Sequence, residues 1–457
     1  METKYLIIGN SAGGIAATEA IRELDETGTI TIVSEEPYPA YSRILISKYL
    51  TKERDLKQTL LRPDDFYDAN DITFLPGNKV TKLQLKSHTA ELEDGRSIGY
   101  EKLLLALGGA PIVPKIRGSD KEGVFTYTKL DDVKAIDSYL DNAKKAIVIG
   151  GGLIGTSATE ALTKRGIKVT IVELKNHVLS TILDEYASSI VEKTLKSAGV
   201  RVITGRTVTE IIGADKATGV ILDNDNKMPC DLVLIAIGVS PRIELVSGTN
   251  IKFNRGITVN RHMETSLPGV YACGDVAEAH DFVHGQDRVI PIWPGAHIGG
   301  RIAGFNMANA AIEYSGSTNM NTLSYFGLNI ASGGIVIPPD DSYDVLHKKS
   351  KNYYEKIVLQ GDKIVGFVFA GNIEKSGIIL CMMRDQTDVS NIKKWLISKD
   401  ACDLVYLQWH MRLESSKCRP KMVGGTGVEP VTSAMSTQFS EGSAVLPGND
   451  EGKLAII

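Results

Sequence analysis

The sequence of 457 residues predicts an α/β protein built on two dinucleotide-binding folds, and three observations predict it. A strand, a glycine loop and a helix open the chain, YLIIGNSAGGIAATEAIREL. The same arrangement returns at KKAIVIGGGLIGTSATEALTKRG. Each is followed by a second apolar strand that ends on an acidic residue, which is the layout of a dinucleotide-binding turn.

Composition sets the limits. A chain that is 43% hydrophobic and 23% charged is an ordinary globular one, too long for a single core. A net charge of −4 with no long basic run argues against a general nucleic-acid binder. No apolar stretch reaches the ~18 residues of a membrane span. The N-terminus enters a strand with no signal-peptide pattern, so a cytoplasmic protein is expected. Five cysteines (Cys230, Cys273, Cys381, Cys402, Cys418) are scattered without metal-ligand spacing, so no metal site is expected. Such a set suits a reducing compartment.

In the first unit, Gly9, Gly13 and Gly14 form the loop, and Ser11 stands where G-x-G-x-x-G wants its second glycine. TITIVSE then ends on Glu35, 26 residues past Gly9. The second unit completes the pattern with Gly150, Gly152 and Gly155, and KVTIVE ends on Glu173, 23 residues past Gly150. Glycines let backbone approach a pyrophosphate, the helix N-terminus supplies N–H donors, and the carboxylate accepts from ribose hydroxyls. One such turn is a common structural element; two in one chain, each with its acid, argue for two bound dinucleotides. Nicotinamide passes hydride and flavin accepts it, so the pair implies electron transfer.

Two apolar strands, LLLALGGAPIVP (103–114) and LVLIAIGVSPRIEL (232–245), end at small residues and a proline; GVYACGDVAEA (269–279) follows them. With the two glycine loops these make five motifs, and in this order they resemble the FAD-dependent pyridine nucleotide–disulfide oxidoreductase superfamily over residues 4–415. The nearest branch is that of the NADH-dependent ferredoxin, rubredoxin and nitrite reductase flavoproteins. The resemblance implies an FAD domain in two parts (1–113 and 245–318) and an inserted NAD(H) domain (114–244). A smaller α+β, dimerisation-like domain (319–416) then allows a homodimer. It implies that Ala106, Gly108 and Gly238 line the crossovers and that Asp275 binds the ribityl chain. A helix N-cap is the structural alternative for that aspartate.

The sequence departs from the superfamily's name at PYPAYSRILISKYL (37–50), which has no cysteine. Disulfide exchange needs a thiolate at the flavin, so electrons must leave directly for an external acceptor. The stretch resembles the YxRPxLSK segment of the ferredoxin-reductase branch. Arg43 is then expected near the flavin pyrophosphate, and Lys48 beside the N5 edge as the catalytic group. The lysine's usual glutamate partner is Ser157 here. Glu160 lies three residues on and is the substitute; without one, a desolvated Lys48 has a lowered pKa. In PIWPGAHIGGRIAGFNMA (291–308), Trp293 and Ala296 match residues covering the pyrimidine side, although a tryptophan between prolines also suits a core plug. His297 reads as structural.

YYEKIVLQGDKIVGFVFAG (353–371) reads as a hairpin about Gly361-Asp362, and NIKKWLISK (391–399) as a short amphipathic helix. From Lys417 onward, Gly, Ser, Thr and Pro dominate; this tail is expected to be disordered and without function. The whole predicts an oxidoreductase with FAD and NADH. NADPH is disfavoured because Glu173 would repel its 2′-phosphate, although Lys175 is near. The partner is an electron-carrier protein or redox subunit: a ferredoxin, a rubredoxin, a nitrite reductase or a 2-oxoacid dehydrogenase complex. The alternative is an NADH-responsive redox sensor similar to apoptosis-inducing factor, favoured by the missing glutamate.

Overall fold

The structure is a computed structural model that describes residues 1–398 and Leu404. The tail from Lys417 lies outside the described residues.

The first glycine unit lies inside a seven-stranded sheet, with Ile72–Pro76 at the edge. Ile72–Pro76, Ile30–Ser34, Glu2–Ile8 and Ser97–Leu105 lie side by side and parallel, and Val270–Ala272 returns to pair with the end of Ser97–Leu105. A parallel strand buried on both faces must be apolar throughout, and Ile30–Ser34 is buried at every position. The second unit repeats the order in five parallel strands: Arg201–Thr204, Lys168–Glu173, Lys145–Ile149, Leu232–Ile235 and the short Val124–Phe125.

The repetition extends to single hydrogen bonds. Gly9 N–H donates to Val33 O (2.9 Å) and Gly150 N–H to Val172 O (2.8 Å). Ala106 N–H donates to Ile8 O (2.9 Å) and Ala236 N–H to Ile149 O (2.8 Å). Gly108 and Gly238 each follow two residues later with positive φ, +68° and +124°. The two crossovers then meet: Gly109–Pro111 pairs antiparallel with Val239–Pro241.

The third sheet has five antiparallel strands in the order Met320–Tyr325, Leu328–Gly334, Lys363–Ala370, Tyr353–Gln360 and Tyr343–Ser350. The expected hairpin turns at Gly361 (φ +61°). Its two strands are buried almost throughout, because the helix Ser376–Arg384 packs beside them and the helix Glu185–Ser197 covers them too. Asp184 caps that second helix and ties it to the sheet by Tyr354 Oη (2.8 Å) and Lys356 Nζ (2.9 Å). The expected helix over 391–399 is shorter among the described residues, Trp395–Ser398. No helix among the described residues is long and apolar enough to cross a membrane.

Candidate active site

The first glycine loop is built by close approach. A Cβ on Gly14 would lie 2.0 Å from Gly9 O, and one on Gly9 (φ +119°) 2.1 Å from Ala106 O. Side chains are therefore excluded where the strand turns into the helix Ala12–Leu24. Ser11 is its N-cap residue, and the Ser11 hydroxyl has no hydrogen-bond partner among the described residues. The helix Trp293–Met307 crosses this helix backbone to backbone: a Cβ on Gly300 would lie 2.2 Å from Gly13 O, and one on Gly304 2.3 Å from Ala17 O. Two helix N-termini thus converge where Gly13 meets Ala296 O and the Cys273 thiol.

Asp275 stands at this convergence, in the 3-10 turn Gly274–Val276. Its carboxylate has no hydrogen-bond or ion-pair partner among the described residues; burial pushes its pKa up, and the charge of Arg43 opposes the shift. Arg43 is anchored by Glu36 and by Thr128 O (3.0 Å). A loop tightened at Gly9 and Gly14, paired helix N-termini and a recessed, unpaired carboxylate fit the pyrophosphate and ribityl chain of FAD. Trp293 is half-exposed and stacks on His297 (centroids 5.2 Å, 19° between planes), so it is not the core plug. Ala296 is buried.

The acids of the two units are not equivalent. Val33 and Val172 accept the corresponding glycine N–H groups, which makes Ser34, not Glu35, the counterpart of Glu173. Glu35 lies one residue further and pairs with Arg242 (2.5 Å). Glu173 Oε2 accepts from Gly151 N–H (2.6 Å) and Oε1 from Lys175 N–H (2.7 Å). The carboxylate is thus held at the mouth of the second loop. Gly150 (φ +105°) and Gly155 repeat the contacts of Gly9 and Gly14, and a Cβ on Gly152 would meet nothing within 4 Å.

Lys48 departs from expectation. Glu160 is not its partner: Glu160 accepts from Phe326 N–H (3.1 Å) and pairs with Lys164 (3.3 Å). Lys48 is also not unpaired. It binds Glu53 (2.6 Å), five residues on, and Glu53 also meets Lys164 (3.1 Å). Lys48 draws the Glu53 carboxyl down to about 2. The acid lies just past the end of the short helix Ile46–Leu50 that carries Lys48, so the pair needs no distant element to bring the charges together. Glu53, Arg242 and Tyr325 went unnoticed in the sequence; only the KYLTKE spacing signals the first of them.

These features define a class, and comparison with known proteins gives the same one. The family described as pyridine nucleotide-disulphide oxidoreductase matches residues 3–300, and the rubredoxin NAD+ reductase C-terminal domain matches 320–387. The chain belongs to the pyridine nucleotide-disulphide oxidoreductase family and is an FAD-dependent oxidoreductase acting on NAD(P)H.

Among its relatives, it is 31% identical over 400 residues to the NADH-dependent phenylglyoxylate dehydrogenase subunit epsilon of Aromatoleum evansii, covering 87% of this chain and 95% of that one. It is 30% identical over 393 residues to the nitrite reductase [NAD(P)H] of Bacillus subtilis, covering 86% of this chain and spanning about half (48%) of that protein. The solved NADH:rubredoxin oxidoreductase of Clostridium acetobutylicum superposes with a TM-score of 0.72 at 26% identity, over 89% of this chain and all (100%) of that one.

Proposed function

We propose that the chain takes reducing equivalents from NADH into FAD and delivers them to a separate redox protein or subunit. The observation that carries this reading is two glycine-loop sites of matching geometry in one chain, together with a 37–50 stretch without cysteine. FAD, when bound, accepts one hydride, that is an electron pair, and can release the electrons singly to one-electron carriers. The first loop, Ser11, Arg43, Asp275, Ala296 and Trp293 hold it, with Glu35 kept near the adenosine end by Arg242. The second loop and Glu173 hold NADH, Gly108 and Gly238 bend the crossovers between them, and Lys48 is the charged group at the flavin edge. The FAD part comprises residues 1–113 and 245–318, the NADH part 114–244. Relatives whose names specify rubredoxin and nitrite support a carrier protein or a nitrite reductase as acceptor, and one whose name specifies phenylglyoxylate supports a 2-oxoacid-oxidising complex that runs electrons the other way, toward NAD. The sensor alternative rests on the missing glutamate at Ser157; the pairing of Lys48 with Glu53 supports the enzyme reading over it.

Anaerobic stopped-flow reduction tests the donor half. NADH should bleach the flavin roughly thirty-fold or more faster than NADPH at equal low concentration, the effect of lost ribose bonds and like-charge repulsion at Glu173. Glu173→Ala should narrow the ratio. Equal wild-type rates would refute the assignment. Reoxidation by added rubredoxin, ferredoxin or nitrite reductase then tests the acceptor.

A further inference from the structure

The third sheet reaches the helix that follows the second glycine loop. Its first hairpin turns at Phe326-Gly327, both with positive φ (+47° and +82°), between the paired residues Tyr325 and Leu328. Such a two-residue turn favours Asn-Gly, and a bulky aromatic at the first position is strained. Strain of this kind persists where the surroundings over-determine it. Here they do: Phe326 N–H donates to Glu160 of the helix Leu153–Lys164, and Tyr325 is buried at the start of that same helix.

The Tyr325 hydroxyl lies 2.9 Å from Thr156 Oγ1 and 3.4 Å from Leu153 O. Thr156 is fully buried, and its hydroxyl lies 2.9 Å from Gly152 O. Gly152 is the N-cap residue of the helix and a glycine of the nucleotide loop. A chain of two hydroxyls therefore runs from the tip of the C-terminal sheet to the peptide whose orientation aims the loop N–H groups at a pyrophosphate. The first unit has no counterpart, since its helix start is braced by the helix Trp293–Met307.

We propose that Tyr325 is a positioning residue for the NADH loop, acting through Thr156 on the Gly152 carbonyl. It touches no nucleotide. It fixes the loop in its binding geometry before the nucleotide arrives, which lowers the ordering cost of binding. The inference rests on the second loop being the NADH site.

Tyr325→Phe removes only the hydroxyl. Isothermal titration of the FAD-loaded protein with NAD+ should give a Kd raised roughly three- to tenfold, the worth of one buried hydrogen bond. KM for NADH should rise alike, with kcat and flavin content unchanged and the melting temperature lowered by no more than about 2 °C. Thr156→Val should give the same rise, and the double variant no more than either alone. An unchanged Kd in Tyr325→Phe overturns the proposal, and so does a raised Kd accompanied by flavin loss or a larger fall in melting temperature. If Tyr325→Phe does not fold, Thr156→Val is judged by the same criteria. If the wild type itself binds no NAD+, the assignment of the second loop fails instead.

Discussion

At the scale of single residues, Asp275 sets function against stability. Its raised folded-state pKa means that the folded protein holds a proton that the unfolded chain releases from about pH 4 upward. Stability is thus lost as pH rises through the interval between the unfolded and folded pKa, and stays lost above it. Asp275→Asn should make the flavin-free protein melt higher at pH 7, with the gain vanishing below about pH 4. The same change should weaken FAD binding by about 1.5–3 kcal/mol, the worth of a hydrogen bond to a charged group. Melting curves of the stripped protein and FAD titration measure the two effects separately, and a variant that binds FAD normally would remove the aspartate from the site. The CGDV motif singled out Asp275, which the structure places where two helix N-termini meet; the register of Glu35 was not legible. Sequence spacing counts residues along the strand, whereas the equivalence of Glu173 and Ser34 is set by which carbonyl accepts the glycine N–H.

At the scale of elements, the decisive contact is the crossing of the helices Ala12–Leu24 and Trp293–Met307. Gly300→Ala brings a Cβ to 2.2 Å from a backbone carbonyl, which cannot rotate away. The helix-propensity gain of about 1 kcal/mol is smaller than the cost of prying the helices apart, about 1–3 kcal/mol or more. Flavin should be released on heating at a clearly lower temperature, as followed by its fluorescence. Gly377→Ala, in a helix where the new Cβ meets nothing within 4 Å, should leave release unchanged. If both variants release flavin like the wild type, the helix crossing does not hold the site. Strands and glycine loops were legible because their apolar runs and small residues are local signals. The crossing was not, because the 300–304 glycines read as helix interior until their partner 287 residues earlier is known. The hairpin tip was hidden for a similar reason: Phe-Gly is a poor turn by local preference, and only Glu160 and Thr156 explain it.

At the scale of the whole molecule, electrons are expected to pass through none of the thiols of the described residues. Among the described residues, Cys230 and Cys273 are buried, and burial pushes both thiols up to about 12, far from the thiolate state. Cys381 is half-buried on the helix Ser376–Arg384. Alkylation of the native protein by iodoacetamide at pH 8 should leave the rate of flavin reduction by NADH and its reoxidation by a dye unchanged. Activity lost in proportion to one modified cysteine would place a thiol on the route.

The antiparallel pairing of Gly109–Pro111 with Val239–Pro241 has a consequence for how the chain finds its fold. The stretch between these segments leaves and re-enters at neighbouring strands, about 4.8 Å apart. Val270–Ala272 must join Leu103–Leu105 across a span of chain, and loop closure grows costlier with the logarithm of that span. With the interposed sheet already formed, the open length falls from roughly 165 residues to roughly 34, lowering the entropic cost by about 1.4 kcal/mol. The nucleotide unit in the middle thus acts as a staple that brings the two separated pieces of the other within reach.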